Sequence, residues 1–200
     1  LNKYVTLPIA AMGTVAVAEA IKFESSFAGV QKTVDGTAEQ MKKLEKGIID
    51  MSRKIPATTH EISAVAEAAG QLGIQADNVI GFTKVIIDLG ESTNISGEQG
   101  AQSIAKFANI TKMSQKDFDR FGATIVELGN NSATTEQDIL NMSMRLAAAG
   151  SQAGMSDAKI LGMAAALSSV GIEAEAGGSA MSKFMNMVQL SVETGNKDLG

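Results

Sequence analysis

His60 is the only histidine in the chain, and Glu61 stands beside it. A nucleophilic serine would have to use that imidazole, and a metal site would have to combine it with carboxylates alone. There are no cysteines, so disulfides and thiolate ligands are excluded. His60 falls in the first turn of an expected helix and reads as an exposed helical residue. Asp117 and Asp119 lie two positions apart, which on a helix turns them to different faces and leaves them solvated. The glycines form no Gly-rich turn between a strand and a helix and precede no Walker lysine, so a phosphate cradle is unsupported. Lys42, Lys43 and Lys46, with Arg53 and Lys54 further on, are interleaved with Glu39 and Glu45. They read as a solvated helix face, with Glu39 and Lys43 as an i,i+4 pair. The formal net charge of −5 gives no electrostatic footprint for nucleic acid. No catalytic, cofactor-binding or metal-ligating residue is assigned, and no enzymatic activity is expected of these residues.

The positions that recur are apolar. Val79, Phe82, Ile86 and Leu89 precede Gly90; Phe118, Phe121, Ile125 and Leu128 precede Gly129; Ile160, Met163, Leu167 and Val170 precede Gly171. Each set has the helical offsets 0, 3, 7 and 10, with the glycine at 11. The glycines are 39 and then 42 residues apart. That period suits a two-helix repeat, because one hairpin cannot bury its apolar face without a neighbour. Partner helices fit the same frame: Ile62, Val65, Ala69 and Leu72, then Ile104 and Ala108, then Ile139, Met142 and Leu146. Met181, Phe184 and Val188 lie 42 residues beyond the last of these sets and look like a fourth, unpaired half.

Turn chemistry supports the frame. Thr37 with Gln40 and Thr58 with Glu61 are capping boxes, and Ser96 with Gln99 is another. Ser114 with Asp117 and Thr135 with Asp138 are weaker versions, since Asp is shorter than Glu or Gln; Ser156 opens a further helix. Gly90, Gly129 and Gly171 are expected to end helices in the left-handed conformation. Gly177-Gly178, near the start of the last helix, would cost about 1 kcal/mol each against alanine, which favours a close helix approach or a hinge.

Apolar residues make up 44% of the chain, enough for a core, but only 4% are aromatic and there is no Trp. Alanine, methionine and glycine fill the core instead, which makes it adaptable and weakly specified. With two prolines and a helical apolar period almost throughout, the predicted class is all-α. The architecture is stacked antiparallel helical hairpins of about 40 residues, preceded by one or two longer helices. Residues 1–56 form an N-terminal helical segment broken near 35–37, with Pro56 as its boundary. Residues 57–190 form the helical-repeat domain, and 191–200 a polar linker. Residues 4–18 carry no charge and read either as a buried or partner-packing helix starting at Pro8, as a signal peptide, or as a membrane-active segment. They are about five residues short of the roughly 20 that span a bilayer. A chain starting at Leu1 and stopping at Gly200 reads as a piece of something longer.

The runs AEAAGQLGI (66–74), GFTKVIIDLG (81–90), AKFANITKMS (105–114), LGNNSATTEQDIL (128–140), AAGSQAGMS (148–156) and LSSVGIEAEAGGSAM (167–181) resemble the core region of phage tail tape measure proteins. VTLPIAAMG (5–13) and KFESSFAGVQKTV (22–34) are similar to the segment preceding that core, so the pieces keep family order over nearly the whole chain. The resemblance implies a structural protein of a bacteriophage or prophage tail, present in the tail-tube lumen and, during assembly, in the host cytoplasm. Such a protein sets tail length, templates tube assembly and is released during infection. Its implied partners are tail tube (major tail) proteins, tail assembly chaperones and tail tip or baseplate proteins. Self-association and contact with the cell envelope during infection are also implied; nucleic acid, cofactors and metals are not. Some relatives carry a peptidoglycan-cleaving domain elsewhere, and none is visible in this sequence. No site residue carries over. Two readings from other classes are a helical-repeat adaptor that binds a protein or peptide in its groove, and a secreted, membrane-inserting helical protein.

Overall fold

The computed structural model describes residues 21–194 apart from Ser96, and omits the side chains of Glu98, Glu193 and Thr194. The uncharged stretch 4–18, the Ser96 cap and residues 195–200 therefore lie outside the described residues. Among the described residues the chain is helical without strands, as its apolar period requires. The helices are α1 (residues 21–33), α2 (Ala38–Ser52), α3 (Thr59–Gln71), α4 (Ala76–Ser92), α5 (Gly97–Thr111), α6 (Phe118–Asn130), α7 (Glu136–Gln152), α8 (Asp157–Ser169) and α9 (Ala174–Thr194). A short 3₁₀ turn, Gln115–Asp117, leads into α6. The chain divides into two compact units, up to Ile80 and from Gly81 onward. Pro56 lies between α2 and α3, which pack on each other within the first unit. The division itself falls inside α4, later than Pro56. Helix α9 runs on to Thr194, so the first four residues of the expected linker are helical.

In the first unit, Phe27 and Val30 of α1, Leu44 and Ile48 of α2, and Ile62, Ala66 and Ala69 of α3 form the core. Thr37 and Thr58 each complete a reciprocal capping box, with Gln40 and Glu61 respectively. These boxes satisfy backbone N–H groups that the first helical turn leaves unpaired, which is why the helices start where they do. Helix α2 stops at Ser52, before the Ile55-Pro56 pair that cannot continue it.

In the second unit α7 is the hub, packed against α5, α6, α8 and α9. Met142 and Leu146 are fully buried on it, while Ala147, Ala149 and Gly150 let its neighbours approach closely. Truncating a buried Leu or Met of this kind to Ala typically costs about 2–5 kcal/mol. Phe82 of α4 meets Phe118 of α6 edge-on with ring centroids 4.7 Å apart, and Phe107 of α5 lies 4.9 Å from Phe121. At the α7 start, the Thr135 hydroxyl accepts from Asp138 N–H and donates to its carboxylate. No reciprocal bond reaches the Thr135 backbone, since Asp is one methylene too short. Ser156 opens α8 with extended geometry and no side-chain cap bond.

The helix ends correct one expectation. Of the three stripe glycines only Gly171 is left-handed, with φ 75°. Gly90 and Gly129 lie inside the last turns of α4 and α6. Side chains finish those helices instead. The Thr93 hydroxyl and N–H both donate to Leu89 O, and Asn131 donates from its backbone and its amide to Glu127 O. Leu89 O and Glu127 O thereby each accept two bonds without a left-handed turn. The left-handed ends belong chiefly to the first helix of each hairpin: Gly73 (φ 80°), Lys112 (φ 58°) and Gly154 (φ 73°). At each, the following N–H reaches back over the helix end, Ile74 to Ala69 O, Met113 to Ala108 O and Met155 to Gly150 O, at 2.9–3.0 Å. These are Schellman closures, and they repeat at the same 39- and 42-residue intervals as the apolar stripes.

Candidate functional site

The residues considered for chemistry stay apart. The Ser26 hydroxyl donates to Lys22 O at 3.0 Å and lies 2.7 Å from His60 Nδ1. This contact joins α1 to α3 at the surface, where His60 is exposed. The Glu61 carboxylate accepts from Thr58 N–H and from the Thr58 hydroxyl, both at 2.8 Å. Those bonds to the charged form hold its pKa below the ordinary value. Glu61 is thus committed to capping α3. Asp117 pairs with Arg120 at 3.5 Å, one turn along the chain, and Asp119 is exposed. Lys43 pairs with Glu39 at 3.3 Å on an exposed face of α2 that also holds Lys42 and Lys46. Among the described residues no three His, Asp or Glu side chains gather as a metal site. No described helix is long and apolar enough to cross a membrane.

What the second unit offers is surface. Helix α9 lies against α7: a Cβ at Gly178 would overlap Arg145 Cβ, and one at Gly177 would overlap the Ile172 side chain and crowd Met142. The paired glycines are therefore the close approach that the sequence suggested. The Ser182 hydroxyl donates to Arg145 O at 3.1 Å, Arg145 lies 3.9 Å from Glu175, and Met185 is buried. The other side of α9 is open. Phe184 (57% exposed), Met187 and Leu190 stand out from it, and Val170, 73% exposed, does so at the end of α8. The third stripe is thus buried at Ile160 and progressively exposed toward Val170. The fourth half contributes Met185 to the core in place of Phe184. Helix α8 packs on α7 and α6, and α9 packs on α7, so these apolar residues lie on the faces turned from those neighbours.

Hairpins of about 40 residues stacked through one apolar face define an α-helical repeat protein. Residues 45–200 match the family model of phage-related minor tail proteins. The chain belongs to that family and is a structural protein of the phage tail. No curated protein and no solved structure matches it.

Proposed function

We propose that the protein is a tail tape measure: it sets tail length, templates tube assembly around itself and leaves the tail during infection. The observation that carries this reading is the 39- and 42-residue helical repeat within a chain of the minor tail family. The ordered resemblance across residues 5–181 supports it further. On this reading the protein works in the tail-tube lumen, self-associates, and meets tube subunits, assembly chaperones and tip or baseplate proteins. Its role is positional, without a reaction of its own.

The test is genetic. Deleting Ser96–Thr134 in frame removes the α5–α6 hairpin and joins Ile95 to the α7 cap at Thr135. Were those residues one continuous helix, tails would shorten by about 58 Å at about 1.5 Å per residue. As a folded hairpin they contribute far less length, so the expected result is loss of infectious particles without that shortening. Infectious particles with tails about 58 Å shorter refute the compact-repeat reading. Tails of normal, uniform length after removal of the whole gene refute the tape-measure proposal itself.

A further inference from the structure

Between α4 and α6 runs an open groove of about 480 Å³. Its floor is apolar: Val85 and Leu89 from α4, Ala123 and Val126 from α6. Gly122 lets the two helices approach closely beneath it, because a Cβ there would sit 2.8 Å from Val85 Cγ1. On α4 the rim carries Asp88, ion-paired with Lys84; on α6 it carries Asp119 and Glu127. Asp88 and Glu127 are 39 residues apart and so occupy equivalent places in successive repeats. Three carboxylates against one ammonium leave the rim acidic. The α6 lining residues Asp119, Ala123, Val126 and Glu127 recur at intervals that keep one helix face, over about two turns or roughly 12 Å.

We propose that this groove docks a cationic amphipathic helix of a partner protein, two to three turns long. Its apolar stripe would meet the Val85, Leu89 and Val126 floor, and its lysines or arginines would meet Asp119 and Glu127. The charge of the rim selects the sign of the occupant, and the apolar floor excludes a purely polar one. The basic face of a second copy's α2 is a poorer fit, because its exposed residues Lys42, Lys43 and Lys46 flank no exposed apolar stripe. The proposal stands independently of the tape-measure reading.

The test uses two fluorescent 14-residue helical peptides with identical leucine stripes, one flanked by lysines and one by glutamates, titrated against the whole chain by anisotropy. The lysine peptide binds, and raising salt from about 50 to about 300 mM weakens it. Asp119→Lys with Glu127→Lys lowers its affinity by about tenfold or more, and Val126→Arg does the same by blocking the floor. Glu24→Lys with Glu45→Lys changes net charge equally at residues that do not line the groove, and alters affinity by less than about twofold. Circular dichroism confirms that each variant is folded. Equal losses in both double variants mean bulk attraction only and overturn the proposal. So does equal binding of the glutamate peptide, or no binding of the lysine peptide. Concentration-dependent self-association that Val126→Arg abolishes, without peptide binding, assigns the groove to a second copy and also overturns it.

Discussion

Lys112 is the one described residue other than glycine with positive φ, and its counterparts in the flanking repeats, Gly73 and Gly154, are glycines. A side chain at φ 58° costs about 1–2 kcal/mol, because Cβ crowds the following carbonyl. Lys112→Gly removes that cost, while the freer unfolded chain returns about 0.5–1 kcal/mol of it. The net expectation is a stabilisation of about 0.5–1 kcal/mol, a rise in melting temperature of about 1–4 °C for a chain of this size. The reciprocal change, Gly154→Ala, imposes the cost and should lower the melting temperature by a similar or larger amount. Lys112→Asn should fall between wild type and Lys112→Gly, since Asn enters the left-handed region more readily than Lys. Scanning calorimetry or urea titration reads all three. Lys112→Gly melting below wild type, or Gly154→Ala melting with it, would show that the left-handed closures do not govern these helix ends.

Two other substitutions probe the core and a cap. Phe121→Ala, at a ring 3% exposed and 4.9 Å from Phe107, should cost about 3–5 kcal/mol, whereas exposed Lys116→Ala stays within about 0.5 kcal/mol; equal urea midpoints would refute the stripe assignment. Glu61→Ala should destabilise at neutral pH. Because the folded pKa of Glu61 lies below its ordinary value, the stability it contributes is present above the unfolded pKa and fades as pH falls through the folded one. The gap between wild type and Glu61→Ala should therefore narrow from about pH 5 to about pH 3, and a constant gap would assign the effect to something other than the ionised cap.

Much of the fold was legible because period and capping agree. The stripes at 79–89, 118–128 and 160–170 and the boxes at Thr37 and Thr58 each point to helices that the structure contains. The helix ends were legible only in part. Gly73, Lys112, Gly154 and Gly171 are each followed by an apolar residue, Ile74, Met113, Met155 or Ile172. That residue can pack back on the helix, and it is the mark of a Schellman closure. Gly90 and Gly129 are followed by Glu91 and Asn130, and their helices run on until Thr93 and Asn131 supply the capping groups. Glycine alone was the weaker signal, and Lys112 shows that the position can be left-handed without it. The exposure of Val170 and Phe184 could not be read from a stripe, because a stripe states which face is apolar and says nothing of whether a neighbour covers it. The α4–α6 groove was illegible for a related reason. Its floor and rim come from residues some 40 positions apart, which only the stacking of the hairpins brings together.

The recurrence of one closure at Ala69, Ala108 and Gly150 has a genetic consequence. Recombination between two equivalent positions adds or removes a whole hairpin and leaves every junction made of familiar parts. A change of a few residues within a helix, by contrast, rotates one face out of register with its neighbours. Selection on a lineage of such proteins would therefore accept length in steps of about 40 residues and reject most intermediate sizes. The hairpin is thus the smallest piece of this region whose gain or loss keeps every helix face in register.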